Sequence, residues 1–300
     1  MTTTTAPAPA PAATAVGQPS MWRSLLRNRL AAAALGLLAL IVVCAVFAPL
    51  IAPADPNAQD LLARLRPPAW QSGGSSAHLL GTDQLGRDLL SRVVYGTRVS
   101  LLVGAGAALL AGVIGTVAGL ASGYLGGWTD RIVMRVADVQ LAFPALLLAL
   151  AVVGFVGSGL GYVILVLGIT GWVSYARVVR SEVLSLRTRD FITEARAIGV
   201  SDPVIMRRHL LPNVLAPLAT IGTLHIAAAV VAEASLSYLG LGVPKETVTW
   251  GGMLADGQLY LGTSWWIAVF PGVALMLTSL AINIMGDALR DVADPKAYRR

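Results

Sequence analysis

Apolar residues in this chain gather in long unbroken runs, with shorter polar stretches between them. Six runs stand out, at 30–49, 99–122, 139–157, 160–176, 214–232 and 264–285. Each approaches the roughly 20 residues a helix needs to cross a hydrocarbon core of about 30 Å. None alternates strictly, which selects helices over the strands of a membrane barrel. Backbone polar groups inside a bilayer must be paired within their own element, so continuous helices are the expected form. No charge separates the third run from the fourth; only Gly157, Ser158, Gly159 and Gly161 mark a turn there. Read as one helix, the two would give about 36 uncharged residues, too long for a single crossing even with tilt. The expectation is an all-α, polytopic membrane protein with about six transmembrane helices.

Composition agrees. Of the 300 residues, 56% are hydrophobic and 13% charged, with a mean hydropathy of +0.71. A soluble domain carries roughly 25% charged residues, so this chain cannot cover its apolar surface in water. The net charge of +6 would suit nucleic acid in a soluble protein. Here the cations sit between the apolar runs, so they read as topology signals and no nucleic-acid partner is expected. With both termini in the cytoplasm, 16 of the 22 Lys and Arg fall inside and 6 outside, and the 177–213 loop is cytoplasmic. Arg64, Arg66, Arg87, Arg92 and Arg98, in the first outer loop, depart from that rule. The expected location is a membrane, with lipid around a multi-pass chain.

Residues 1–20 are Thr, Ala and Pro-rich without charge and are predicted to be a disordered tail. The run after them is too long for a signal-peptide core, so it reads as an uncleaved helix. The organisation expected is the tail at 1–20, a first helix and outer loop at 21–98, a transmembrane core at 99–286 that includes the 177–213 loop, and a cytoplasmic tail at 287–300. Cys44 is the single cysteine, so no intrachain disulfide forms. His78, His209 and His225 lack metal-ligand spacing. Neither Lys245 nor Lys296 follows a Gly-rich phosphate loop, so ATP binding and hydrolysis are not expected in this chain. No ionisable group reads as deep within a span, which argues against the ion relays of secondary transporters.

Candidate chemistry lies mostly outside the runs. In the 190–212 stretch, Asp190 reads as an N-cap, and Phe191, Ala195 and Ile198 share one face of a short helix. Gly199 suits the left-handed position that ends it, and Asp202-Pro203 reads as a second start. The product is a helix–turn–helix elbow whose apolar stripe suits either a partner's groove or an anionic lipid surface. Gly115, Gly119 and Gly123, four apart in the second run, present a face for close helix approach, between subunits or within one. Asp83 and Arg87 are spaced to pair along a helix; with Asp88 they read as an outer-gate or docking motif, or as a cap on the second span. Glu233 reads as a solute contact or a solvated interfacial group, and Asp256 as a second possible solute contact.

The 190–212 segment resembles the conserved cytoplasmic loop of ABC-importer permeases, with Gly199 and Leu211-Pro212 at the family spacing. The front departs: the family's Glu falls on Thr193 and its two Ala on Glu194 and Ala195. Residues 80–101 (Leu-Gly-Thr-Asp-Gln-Leu-Gly-Arg-Asp at their start), the 233–242 stretch with Val243-Pro244 and Trp250-Gly251, and the 286–295 tail are similar to the C-type permease subunit of dipeptide and oligopeptide importers. The resemblance spans roughly residues 22–297. It implies a type I ABC importer permease fold forming half of a translocation pathway in a bacterial plasma membrane. The ATPase-coupling loop would be carried by Asp190, Phe191, Thr193, Glu194, Ala195, Ile198, Gly199, Leu211 and Pro212, and an outer-loop motif by Gly81, Thr82, Asp83, Gly86, Arg87 and Asp88. Implied partners are a homologous permease, two ABC ATPases that bind ATP and Mg2+, and an extracytoplasmic peptide-binding protein. Nickel or glutathione import within the same subfamily, a stand-alone secondary transporter and a membrane scaffold are the alternatives.

Overall fold

A computed structural model describes residues 28–244 and 246–293. The 1–20 tail, Arg23, Arg27, Lys245, Lys296, Arg299 and Arg300 lie outside the described residues. Among the described residues, five helices are long and apolar enough to cross a membrane. They are α1 (Arg29–Val46), α2 (Leu89–Leu125), α5 (Leu160–Leu186), α7 (Leu211–Tyr238) and α9 (Trp266–Ala293). A bent pair, α3 (Gly127–Leu141) and α4 (Ala145–Val156), meets at 92° and makes up to six crossings if the two together form one span. Two short helices, α6 (Asp190–Ala197) and α8 (Trp250–Gly257), complete the main elements. One isolated bridge, Thr82 to Asp88, is the β-pairing among the described residues.

The third expected span is therefore corrected. Residues 139–157 are not one straight helix but cross the bend at 142–144, where Pro144 lacks the N–H that would continue the ladder. The 12-residue α4 rises about 18 Å, short of a full crossing on its own. The third and fourth runs are separate, broken where Gly157 (φ +102°) and Gly159 (φ +158°) take backbone conformations that side chains disfavour.

The charged flanks are more helical than the apolar runs suggest. α2 begins ten residues before 99, because Asp88 caps it through a 2.8 Å bond from the Ser91 N–H. Its 37 residues rise about 55 Å, so it projects beyond a hydrocarbon core of about 30 Å. α5 likewise runs ten residues past 176, to Leu186, shortening the 177–213 loop to a connector between Leu186 and Asp202. The fifth span begins at Asp202, continues through a π-helical stretch at Ile205–Leu210 and merges with α7. The elbow is thus corrected to one short helix followed directly by a span, with no separate second arm.

α2 and α5 are the closest-packed pair, through the glycine face. A Cβ on Gly115 would lie 2.5 Å from the Trp172 carbonyl oxygen, one on Gly119 2.6 Å from that of Ala176, and one on Gly123 2.9 Å from Val183 Cβ. These glycines pack within the subunit. Small residues suit such faces because lipid offers no hydrophobic drive between helices, leaving close van der Waals approach to hold them. Large apolar side chains such as Leu109 and Val117 point outward from α2, as a hydrocarbon surround permits.

Candidate functional site at the two ends of the bundle

At one end, α6 stands on the termini of three long helices. Ile192 and Ala195 are buried against Tyr124 of α2, Val183 and Leu186 of α5, and Ile205, Leu210 and Val214 at the start of the fifth span. A polar clasp adds to this footing. The Tyr124 hydroxyl donates to Asp202 Oδ1 at 2.6 Å and accepts from Arg196 Nε at 3.2 Å. The Arg196 guanidinium also lies 4.7 Å from the Tyr124 ring centroid, a cation–π contact. One tyrosine thereby ties α6 to α2 and to the fifth span. Sequence reading missed it, because Tyr124 is 72 residues from Arg196 and 78 from Asp202. Two further pairs brace this end: Arg180 grips Asp130 through two bonds of 2.5 and 2.7 Å, and Arg177 meets Asp138 at 2.7 Å.

The predicted α6 face needs correction. Ile192 and Ala195 are the inward pair, while Phe191 and Ile198 face out, 38% and 80% exposed. Ala195 therefore belongs to the footing, not to the free stripe. Asp190, Thr193 and Glu194 are exposed on the same helix. The caps shift by one: Arg189 occupies the α6 N-cap and Asp190 its first turn, while Ser201 precedes Asp202. Gly199 is left-handed as read from sequence (φ +81°), and the Val200 N–H returns to the Ala195 carbonyl at 3.0 Å. Leu211 packs against the footing, and Pro212 sits in the first turn of α7, where its missing N–H does no harm.

The opposite end gathers the 81–88 segment. Asp83 and Arg87 pair at 2.6 Å, but across a turn instead of along a helix, and Arg92 Nε approaches the same carboxylate at 3.5 Å. Asp83 also accepts from the N–H groups of Leu85 and Arg87. Arg87 reaches Asp256 Oδ2 on α8 at 3.2 Å. Asp88 caps α2 and meets His78 Nδ1 at 3.0 Å. The Thr82 hydroxyl donates to the Ala63 carbonyl, and the Thr82 carbonyl accepts from Trp266 Nε1 at 3.1 Å. Gly81 and Gly86 both have positive φ and press against the 60–67 backbone. Thr82, Asp83, Arg87 and Asp88 are all buried. Asp256 remains half-exposed, on a concavity of about 560 Å³ that Gln84, Arg87 and Tyr238 also line.

Glu233 is another correction. It is fully buried near the end of α7, where Ser237 Oγ donates to Oε1 at 2.7 Å and Ser100 Oγ lies 3.5 Å from Oε2. It is neither solvated nor open to a solute in this structure. The reading that spans lack deep ionisable groups also fails, since His225 falls mid-way along α7.

Comparison with known proteins follows the same outline. Residues 20–68 match the model of the N-terminal transmembrane domain of oligopeptide transport permease C. The di/tripeptide transport system permease protein of Pseudomonas aeruginosa is 42% identical over 92% of this chain and 91% of its own. The dipeptide transport system permease protein of Escherichia coli K12 is 44% identical over 92% of each, and the glutathione transport system permease protein of Pectobacterium atrosepticum 40% over 92% and 90%. A chain of the inward-facing MetNI methionine ABC transporter superposes with a TM-score of 0.54 at 24% identity, covering 68% of this chain and 96% of its own. That likeness places the fold. With a further model match across residues 115–298, the chain belongs to the binding-protein-dependent transport system inner membrane component family and is a membrane permease subunit of an ATP-driven importer, not itself an enzyme.

Proposed function

We propose that this subunit forms half of a pathway for di- or oligopeptides and takes its driving force from an ATPase docked on α6. The observation that carries the reading is the disposition of α6: fixed from below at Ile192, Ala195 and Arg196, with Phe191 and Ile198 left uncovered. An apolar pair on a rigid helix suits insertion into a protein groove. Because α6 rests on α2, α5 and the fifth span together, a push on it moves three helices as one body. ATP and Mg2+ would be held by two partner ATPases, beside a second permease and an extracytoplasmic binding protein. The arginine distribution supports α6 and both termini facing the cytoplasm, with residues 99–286 as the permease core. Peptide relatives at 42–44% identity favour a peptide cargo; the glutathione relative, at 40%, keeps a tripeptide-like thiol as a second reading.

The test is Phe191→Asp with Ile198→Asp in the assembled complex. Both side chains are exposed, so the fold should survive, while a charge in the groove should weaken docking by roughly 2 kcal/mol or more. Expected is a complex that loses its ATPase on purification and loses peptide uptake. Normal uptake with the ATPase still bound would remove α6 as the coupling element.

A further inference from the structure

We infer that the concavity between α4, α5, α7 and α9 is this subunit's wall of the peptide pathway, with His225, Ser279 and Asn283 as the groups that meet the peptide's amides. This rests on the transporter reading above and deepens it.

Two concavities of similar size flank the packed centre of the bundle. The first, about 550 Å³, is bounded by Ala145 and Ala149 of α4, Thr170 of α5, His225 of α7, and Ser279 and Asn283 of α9. The second, about 590 Å³, lies between α2, α5 and α7 and is lined almost wholly by Ala, Gly, Leu, Val and Ile, with Thr116 and Tyr175 as exceptions. The His225 and Tyr175 rings, 5.3 Å apart and nearly perpendicular, stand between them. Volume does not distinguish the two; polarity does.

Depth gives the polarity its meaning. Ser279 sits at the midpoint of the 28-residue α9, Thr170 near the midpoint of α5, and His225 about five residues past the midpoint of the 202–238 span. That is the driest level of a bilayer, where an unsatisfied polar group is most unfavourable and an ionisable one marks a solute or ion path. The Thr170 hydroxyl is spent on its own helix, donating to the Val166 carbonyl at 2.9 Å. His225 Nδ1 and Ser279 Oγ border the concavity but are covered in this state, with no protein partner among the described residues, so they reach an amide only as the helices part. Asn283, one turn beyond Ser279, is exposed. A wall against lipid would not carry such groups at this level. A wall against a passing chain of amides would, because amides both donate and accept.

The chemistry of the lining also narrows the cargo. No Asp, Glu, Lys or Arg is among the described residues that line this concavity. Charged termini therefore find no fixed counter-ion, and a peptide is met by a few neutral hydrogen-bonding groups. Such weak contacts let a solute enter and leave. The volume falls within the range of small-molecule sites, about 300–1000 Å³, which admits a dipeptide. Recognition of particular side chains is left to another component.

Thiol accessibility tests this. Ser279→Cys, Asn283→Cys and, as the control from the second concavity, Val113→Cys are each built on a Cys44→Ser background and purified as the whole complex in proteoliposomes. A thiolate forms in water and hardly at all in hydrocarbon, so a charged methanethiosulfonate should label positions 279 and 283 at least about tenfold faster than 113. Dialanine with ATP should slow labelling at 279 and 283 and leave 113 unchanged. Labelling at 279 and 283 no faster than at 113, in a complex that still takes up dialanine, overturns the pathway wall and leaves the transporter reading standing. Fast labelling without dialanine protection overturns the peptide contact, since the wall would then be wet but off the route. Absence of ATP-dependent dialanine uptake by the unsubstituted complex would instead sink the dipeptide cargo reading and the inference with it.

Discussion

Residues 81–88 and residues 190–199 both resemble motifs of the same transporter subfamily, yet they are built in opposite ways. In the first, Thr82, Asp83, Arg87 and Asp88 are buried and spend their hydrogen bonds on the chain itself. They bind the 60–67 backbone, the start of α2, α8 and α9 into one end of the bundle. In the second, only Ile192 and Ala195 turn inward, and Phe191 and Ile198 are left for something else to cover. A recognisable motif therefore marks either architecture or an interface, and burial tells which. Each segment carries three charged residues, yet in 81–88 they are buried and in 190–199 exposed, so polarity alone does not tell the two apart.

The sharpest way to break this contrast is Asp83→Ala. It leaves Arg92 buried without a carboxylate and Arg87 with only the half-exposed Asp256, and a buried charge stripped of its partner destabilises by about 3–5 kcal/mol. Folded yield in membranes and the thermal midpoint in detergent should both fall steeply. An unchanged midpoint with uptake abolished would make the segment a functional gate and not a brace. The Phe191 and Ile198 pair should behave oppositely, with transport lost and the midpoint held within about 0.5 kcal/mol, as for exposed sites generally.

A smaller effect is expected at the clasp. Tyr124→Phe keeps the ring beneath Arg196 but removes the hydroxyl that joins Arg196 to Asp202. One hydrogen bond is worth about 1 kcal/mol net, so peptide taken up per ATP hydrolysed should drop about fivefold while hydrolysis continues. A fall in both rates together would mean that the clasp only stabilises the fold. The smallest effect should come from Arg177→Ala. Its pair with Asp138 is about half-exposed on both sides, and such pairs contribute under about 1 kcal/mol and weaken with salt. A melting shift that survives high salt would show this brace to be stronger than an exposed pair should be.

Much of this was legible in one dimension. Long apolar runs require helices in a bilayer, and four of the six runs hold a single helix, the first breaking at Phe47 and the third at 142–144. Gly199 as a helix stop and the glycine break at 157–159 were also readable, because both are local backbone requirements. Helix ends were read too short at Val99 and Ala176, since hydropathy records where lipid is and not where the backbone ladder stops. The bend at Pro144 was missed because the apolar run passes through it unbroken. Asp83 with Arg87 was read as a pair from spacing, but the turn that brings them together depends on Gly86 pressed against Asp60.

Hydropathy and charge were sufficient for the class of fold, the number of crossings within one and the position of the exposed hook, because each follows from transfer between water and hydrocarbon, residue by residue. Which side of α6 is free, why Glu233 is out of reach, and how Tyr124 joins segments more than 70 residues apart depended on packing. Those answers turn on which surfaces meet across the bundle, and helices separated by tens of residues leave no local trace of that meeting.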